Sequence, residues 1–556
     1  MKTHFRRMAR CACAAAALAA LAALTGCGGG DSGAVAPSVP VTPATYTVGG
    51  TVTGLAGPGL VLENSNSSGP DDLAVSTSGS FTFGVQLLSG AEYGIDVKTQ
   101  PLTPPRYCQV ANDSGVVGTA NVTNVRVTCD AGYTVGGTVS GLVGAGLVLQ
   151  IENTQVPNDP SNPDYVGSPL PVNTNGAFTL DSVYPAMFSG GDFVKITKQP
   201  SSPTQRCLAY NPGISIQSAN DTSVAVACSE FAYVTNAADN TVSAYRVDAT
   251  TGALLAVGTP TATGKSPCAV VGTNDRQFVY VGNEGSNDVS AFAVDAETGA
   301  LTEVPGSPFA AGGDPRALTL YSNILYVANR GSNTISAFAR DVTTGALTPL
   351  SPATYSTGQG PSSLIVDPTD QFLYVANNGG SNDISAFVID PITNGLTPVA
   401  GSPFAAGANP LNLAFGGKFL YTANPGGTNP SISGFTVDPS GTLTPLSGSP
   451  FPAPVNHSIA ADTSGAYLYV TTGAGVVGYG IAATTGLLTA LPGFAFVAGT
   501  NPHSIALDPT SQFIYVANSG SANVSAFRFD TSTGGLTAIA GSPFAAGNQP
   551  EFVATF

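Results

Sequence analysis

A six-residue stretch, Phe372-Leu373-Tyr374-Val375-Ala376-Asn377, recurs through the second half of the chain. Near-copies open at Phe231, Phe278, Ile324, Phe419, Tyr467 and Phe513. The matching tyrosines, Tyr233, Tyr280, Tyr326, Tyr374, Tyr421, Tyr469 and Tyr515, follow one another at 46 to 48 residues. A fixed period of this length is the signature of a repeat architecture, in which each period is one unit that buries its faces only against its neighbours.

Pro361 to Pro403 serves as a sample unit. Ser363–Asp367 reads as a strand stopped by Pro368, and Phe372–Ala376 as a second strand, apolar at every position and therefore covered on both faces. Asn377 to Asp383 is turn chemistry, Ile384–Ile389 a third strand, and Thr393-Asn394-Gly395 a further turn with the glycine free to take a positive φ. Leu396–Val399 is a short fourth strand whose Pro398 lacks a donor and suits an outer edge. Four strands per period and seven periods predict an all-β, seven-bladed β-propeller over 230–556.

The two ends predict ring closure. The first copy, at Phe231, lacks a preceding first strand, and Glu551 to Phe556 align with a first strand that has no continuation. The C-terminal strand is therefore expected to complete the N-terminal blade. In an up-and-down blade the Asn-rich turn after strand two shares a face with the linker to the next blade. That linker reads Gly306-Ser307-Pro308-Phe309-Ala310-Ala311-Gly312, and again Gly401 to Gly407 and Gly541 to Gly547.

The pattern Tyr-Val-Ala-Asn, then Ser-Asn-x-Ile-Ser-Ala-Phe, then Asp-x-x-Thr-Gly-x-Leu resembles the lactonase-type seven-bladed propeller family, which includes the propeller form of 6-phosphogluconolactonase. The resemblance spans about 230–556. WD and kelch propellers are disfavoured, since the chain holds 0 Trp. The family's Pro-His pair before the first strand is matched by Pro502-His503 and in part by Asn456-His457. Its charged turn is replaced here by Ala517-Asn518-Ser519-Gly520.

Upstream, residues 1–27 read as a targeting segment: a basic start, an apolar run from Cys11 to Leu24, and Leu24-Thr25-Gly26-Cys27, which resembles a bacterial lipobox. That resemblance implies lipidation of Cys27 and an exported chain anchored to the cell envelope, at the outer membrane and facing the periplasm or the surface. The alternative is a plain secretory signal cut elsewhere. Residues 28–45 form a Gly/Pro/Ser tether. Without the leader the chain carries 14 basic residues against 34 acidic ones, which excludes nucleic acid as a partner.

A second repeat fills 46–229. Tyr46 to Val52 recurs as Tyr133 to Val139, Gly59-Leu60-Val61-Leu62 as Gly146 to Leu149, and Gly79-Ser80-Phe81-Thr82 as Gly176 to Thr179. Alternating short strands between Gly and Asn turns predict two small β-sandwich (Ig-like) modules, 46–130 and 131–229. The long loop Val156 to Ser168 is expected on the surface. Cys108 and Cys129 lie 21 apart, as do Cys207 and Cys228. In an exported chain this repeated spacing reads as one disulfide per module; metal ligation is the alternative, with no His near either pair.

Chemistry is sought in the residue after the proline that opens each first strand. Its occupants are Cys268, Arg316, Ser362, Leu411, His457, His503 and Glu551, with Asn456 in place of the sixth proline. They are expected to ring the axis on the linker face, with His457, His503 and Glu551 on consecutive blades and Arg316 across the opening. A histidine base and an arginine donor suit a lactonase, and His503, His457, Glu551 and Arg316 are its candidate catalytic residues. Two histidines in one repeat register also arise by duplication, and a polar residue at a strand start also serves merely to satisfy backbone groups.

Only eight basic residues lie in 230–556: Arg246, Lys265, Arg276, Arg316, Arg330, Arg340, Lys418 and Arg528. A phosphosugar needs several converging cations, so an unphosphorylated lactone is the expected substrate. No cofactor or metal is expected. Asp239, Asp288 and Asp383 read as turn residues rather than calcium ligands, and Cys268 as a buried thiol or a nucleophile beside His. The competing function is a non-catalytic envelope scaffold whose propeller face binds neutral glycans or proteins.

Overall fold

The computed structural model describes residues 43–66, 69–153, 168–186, 188, 191–473, 475–492 and 496–556. The leader with Cys27, the tether up to residue 42 and all but the last residue of the Val156–Ser168 loop lie outside the described residues.

Regular structure in the described residues is β throughout. Seven antiparallel sheets, each with four main strands and six with a further two-residue strand, carry the C-terminal region, and the main-strand order follows the sequence in six of them. The first blade is the exception. Its innermost strand is Pro550–Thr555, which pairs antiparallel with Glu230–Asn236 (Val234 opposite Val553), so the chain's last strand closes the ring as the sequence predicts.

The second strand of each blade explains why the repeat is apolar at every position: Phe372–Asn377 is buried along its whole length between two neighbouring blades. The tyrosine at its centre turns that sandwich into a lock. Tyr374 Oη donates to the Gly441 carbonyl of the next blade at 2.8 Å, and Tyr233, Tyr280, Tyr421, Tyr469 and Tyr515 repeat the bond at 2.6–2.9 Å. Tyr515 reaches Gly252, so the circuit crosses the seam between the last blade and the first. The accepting glycine has a positive φ, as at Gly299 (78°), and a Cβ there would run into Phe231. This accounts for the Thr-Gly of the repeat.

Blade four corrects the sequence reading. Asn394, not Gly395, takes the positive φ (57°), because Asn394 stands in the register of Gly299, and Tyr326 donates to its carbonyl at 2.7 Å. Asparagine tolerates this conformation through its short polar side chain. A second difference concerns the linkers. Phe309–Ala310, Phe404–Ala405 and Phe544–Ala545 are two-residue strands on the outer side of strand three, rather than plain connections.

The asparagine closing strand two is buried and donates to a strand-three serine. Asn377 Nδ2 reaches Ser385 Oγ at 2.9 Å, and Asn236, Asn283, Asn329, Asn424 and Asn518 do the same within 3.0 Å. The neighbouring aspartates belong to this turn. Asp288 and Asp383 each accept an asparagine amide at 2.7 Å, and Asp239 accepts the Asn548 backbone N–H.

Each upstream module is two facing sheets around one core. In the first, the order is Gly79–Thr82, Val48–Thr53, Val122–Ala131, Arg106–Ala111, opposite Gly69–Val75, Leu60–Asn66, Glu92–Thr99, Ser114–Val116. The second module repeats the central feature, a parallel pairing of its first and last strands, Tyr133–Ser140 with Asp221–Ala227. The Gly-Gly pair of each first strand permits this: a Cβ on Gly50 or Gly137 would meet the carbonyl of Val125 or Val224. Cys108–Cys129 and Cys207–Cys228 are disulfides, which decides against metal ligation.

The second module docks on the propeller through Arg276, which is 1% exposed and donates to the carbonyls of Arg206 and Ser229 at 2.9 and 2.7 Å. Gln512 adds a bond to the Thr204 carbonyl at 3.1 Å. Both residues lie in turns between strands one and two. The module therefore sits on the face opposite the linkers.

Candidate functional site

The innermost strands end on the linker face around a cavity of about 590 Å³. Blades one to three supply most of its wall: Asn240, Lys265, Glu284, Arg316, Arg330, Gln549 and Glu551, with His503 from blade seven. A second cavity of about 240 Å³ continues along the axis, bordered by Arg316, Ser362, Leu411, His457 and His503. The register read from the sequence thus lines the axis, and His457, His503 and Arg316 share one cavity.

The centre is His503 with Glu551. The Glu551 side chain is nearly buried, held by Gln549 Nε2 on Oε1 at 3.0 Å. Its Oε2 stands 3.1 Å from His503 Nε2, while His503 Nδ1 lies 2.9 Å from the Glu551 backbone carbonyl. That carbonyl only accepts, so Nδ1 carries a proton. Nε2 then faces the carboxylate, so a proton arriving there would be held by Glu551 Oε2 at 3.1 Å. Burial pushes the His503 imidazolium down, and Glu551 opposes that effect. Arg316 adds to the effect of burial, and together they hold the His503 pKa below its ordinary value.

His457 stacks on His503 with ring centroids 4.2 Å apart. Burial, the neighbouring His503 and Arg316 lower its pKa to about 4, so it is neutral at neutral pH and serves as an apolar-faced wall. Arg316 corrects an expectation. It does not stand across the opening: its Nη2 lies 3.8 Å from Glu551 Oε2. Cys268 on the intervening blade is short and buried, so the longer arginine covers that sector. Burial opposes the Arg316 charge, but the surrounding acidic groups, Glu284, Glu551 and Asp314 among them, outweigh it and hold the pKa above its ordinary value.

Cys268 is a structural thiol. Its Sγ lies 3.1 Å from the Pro315 carbonyl and 3.6 Å from that of Gly282. Ser362, in the same register, makes the equivalent pair with Pro410 and Ala376 at 3.0 and 3.3 Å. Burial pushes the thiol up to about 12, which removes it as a nucleophile.

Sequence reasoning missed Glu284, Arg330, Asp314 and Lys265. Glu284 Oε2 accepts from Arg316 Nη1 at 2.8 Å, and its Oε1 from Arg330 Nη2 at 3.0 Å. Arg330 Nε also donates to Asp314 at 2.6 Å. The signal was present in the residue after the strand-two asparagine: Ala237, Glu284, Arg330, Asn378, Pro425 and Ser519, of which only two are charged. Three of the eight propeller cations converge here after all, yet Arg316 and Arg330 are already paired with carboxylates. Among the described residues, no group of three or more His, Cys, Asp or Glu is arranged to hold a metal ion.

The profile of the family described as Lactonase, 7-bladed beta-propeller matches residues 202–313, 317–409 and 458–554, more than half of the chain. Two solved structures share the fold. A candidate 6-phosphogluconolactonase from Bacteroides fragilis is 24% identical with a TM-score of 0.52, over 59% of this chain and 98% of that one. Another from Bacteroides uniformis is 19% identical, also at 0.52, over 59% and 99%. No curated protein sequence matches. With its closed seven-bladed ring and this profile match, the chain belongs to the seven-bladed β-propeller lactonase family.

Proposed function

We propose that the chain is an exported, lipid-anchored lactonase that hydrolyses an unphosphorylated lactone in the cavity on the linker face. The observation that carries this reading is the convergence of His503, Glu551 and Arg316, with the imidazole Nε2 3.1 Å and the guanidinium 3.8 Å from the same carboxylate oxygen. A lactone carbonyl accepting from Arg316 lies beside the Glu551–His503 pair. Water held by that pair adds to the carbonyl carbon and gives up its proton to His503 Nε2, where the Glu551 carboxylate stabilises the imidazolium formed. Arg316 balances the developing oxyanion. The acyl C–O bond breaks, the ring oxygen takes the proton back as a hydroxyl, and a hydroxy acid leaves. His457 limits water on one side of the imidazole and keeps it oriented.

Charge supports a substrate without phosphate. Arg316, Arg330 and Lys265 face Glu284, Glu551 and Asp314, so the wall is balanced and a phosphate would have to displace ion pairs already made. The two disulfides suit an oxidising compartment, as export requires.

The test is hydrolysis of a panel of unphosphorylated sugar and aromatic lactones by the mature protein. His503→Ala is expected to lose about 10²–10⁴-fold in kcat and Arg316→Ala about 10²–10³-fold. A rate equal to buffer across the panel, with the protein folded, retires the lactonase reading in favour of a binding scaffold.

A further inference from the structure

Glu284 ties Arg316, which the reaction uses, to a second arginine, which it does not. It projects from the turn after strand two of blade two, and both its oxygens are engaged, Oε2 with Arg316 at 2.8 Å and Oε1 with Arg330 at 3.0 Å. Arg330 is braced in turn by Asp314 at 2.6 Å. Arg316 thus lies between two carboxylates, close to Glu284 and 3.8 Å from Glu551. That asymmetry matters. A guanidinium without Glu284 would close on Glu551, its other carboxylate, and compete with His503 for Oε2.

We propose that Glu284 is a positioning residue of the site: by holding Arg316 off Glu551 it keeps the Glu551 carboxylate for His503 and so sets whether the imidazole is charged. This rests on the cavity being the reactive site. The groups facing His503 are Glu551 from the C-terminal strand, His457 from blade six, Arg316 from blade three and, at longer range, Glu284 from blade two. Glu551 and Glu284 favour the imidazolium and Arg316 disfavours it. Neutralising Glu284 removes one favourable charge and frees Arg316 to quench the other. Both effects act in the same direction.

The experiment needs no substrate. The chain has 3 histidines, and without the leader's His4 only His457 and His503 remain. In the mature protein with isotope-labelled histidine, NMR titration gives the midpoint of each ring, assigned with His457→Ala. Glu284→Gln is expected to move the His503 midpoint down from its wild-type value. Glu284→Asp, whose shorter carboxylate cannot span both arginines, is expected to move it part of the way. In an Arg316→Gln background the Glu284→Gln shift is expected to shrink. An unmoved His503 midpoint in folded Glu284→Gln, or in Glu284→Asp should the first variant not fold, overturns the proposal. A Glu284→Gln shift of undiminished size in the Arg316→Gln background overturns it as well. Because the titration is independent of turnover, failure here leaves the lactonase reading standing, and failure of every lactone leaves this result standing.

Discussion

Replacing Glu230 by glutamine should stabilise the protein in alkaline but not in acidic solution. Glu230 opens the first propeller strand at the seam with the second sandwich module and is 4% exposed. One of its oxygens has no hydrogen-bond partner, and Arg276 beside it spends its bonds on the Arg206 and Ser229 carbonyls. Burial, with the nearby Asp508 adding to it, raises the pKa from 4.5 to about 7. The folded chain therefore keeps a proton that the unfolded chain releases at 4.5. Below that value the carboxyl costs nothing; as pH rises through about 7 the folded state loses stability. At 1.36 kcal/mol per pKa unit the loss amounts to about 3 kcal/mol. Glutamine keeps an acceptor for the Arg206 backbone N–H and has no charge to bury. Urea unfolding of the oxidised mature chain, followed by circular dichroism since tryptophan is absent, should give wild type and variant nearly equal stability at pH 4.5. By pH 8 the variant should lead by about 3 kcal/mol. A difference that is the same at both pH values refutes the reasoning.

The inter-blade tyrosine circuit and the channel thiol give two further expectations. Tyr374→Phe strands the Gly441 carbonyl in a closed interior and should cost about 1–3 kcal/mol, read as a lower urea midpoint with an unchanged slope. Cys268→Ser should fold with near wild-type stability because Ser362 already makes the same pair of bonds at the same register two blades further round. The native thiol, raised to about 12, should resist a thiol reagent at pH 8 and react only on unfolding.

The fold was legible because its determinants are local and repeated. A strand covered on both faces must be apolar at every position, and a seven-fold repeat of that strand leaves only a ring. Even the closure could be read, from an unpaired first strand at Glu551–Phe556. Asn394 was misread because glycine is the usual residue for a positive φ, whereas the register of the repeat, not the residue type, decides which position must adopt it. The ring register also predicted which side chains meet at the axis. It did not predict side-chain reach. Arg316 extends past the blade of Cys268 to Glu551, and the Glu284–Arg330 pair comes from one turn position, after the strand-two asparagine, whose other occupants are uncharged. Long charged side chains on different blades find partners by geometry that a linear register does not contain.

The central claim is that ligands meet this chain at His503, Glu551 and Arg316. It is tested most directly by a crystal structure of the mature protein with the hydroxy acid formed from whichever lactone it hydrolyses or, failing turnover, with a simple aldonate. The account predicts the carboxylate on Arg316, with the hydroxyl facing the His503–Glu551 contact. An aldonate bound only elsewhere on the propeller or on the sandwich modules, with this cavity holding water alone, would contradict it.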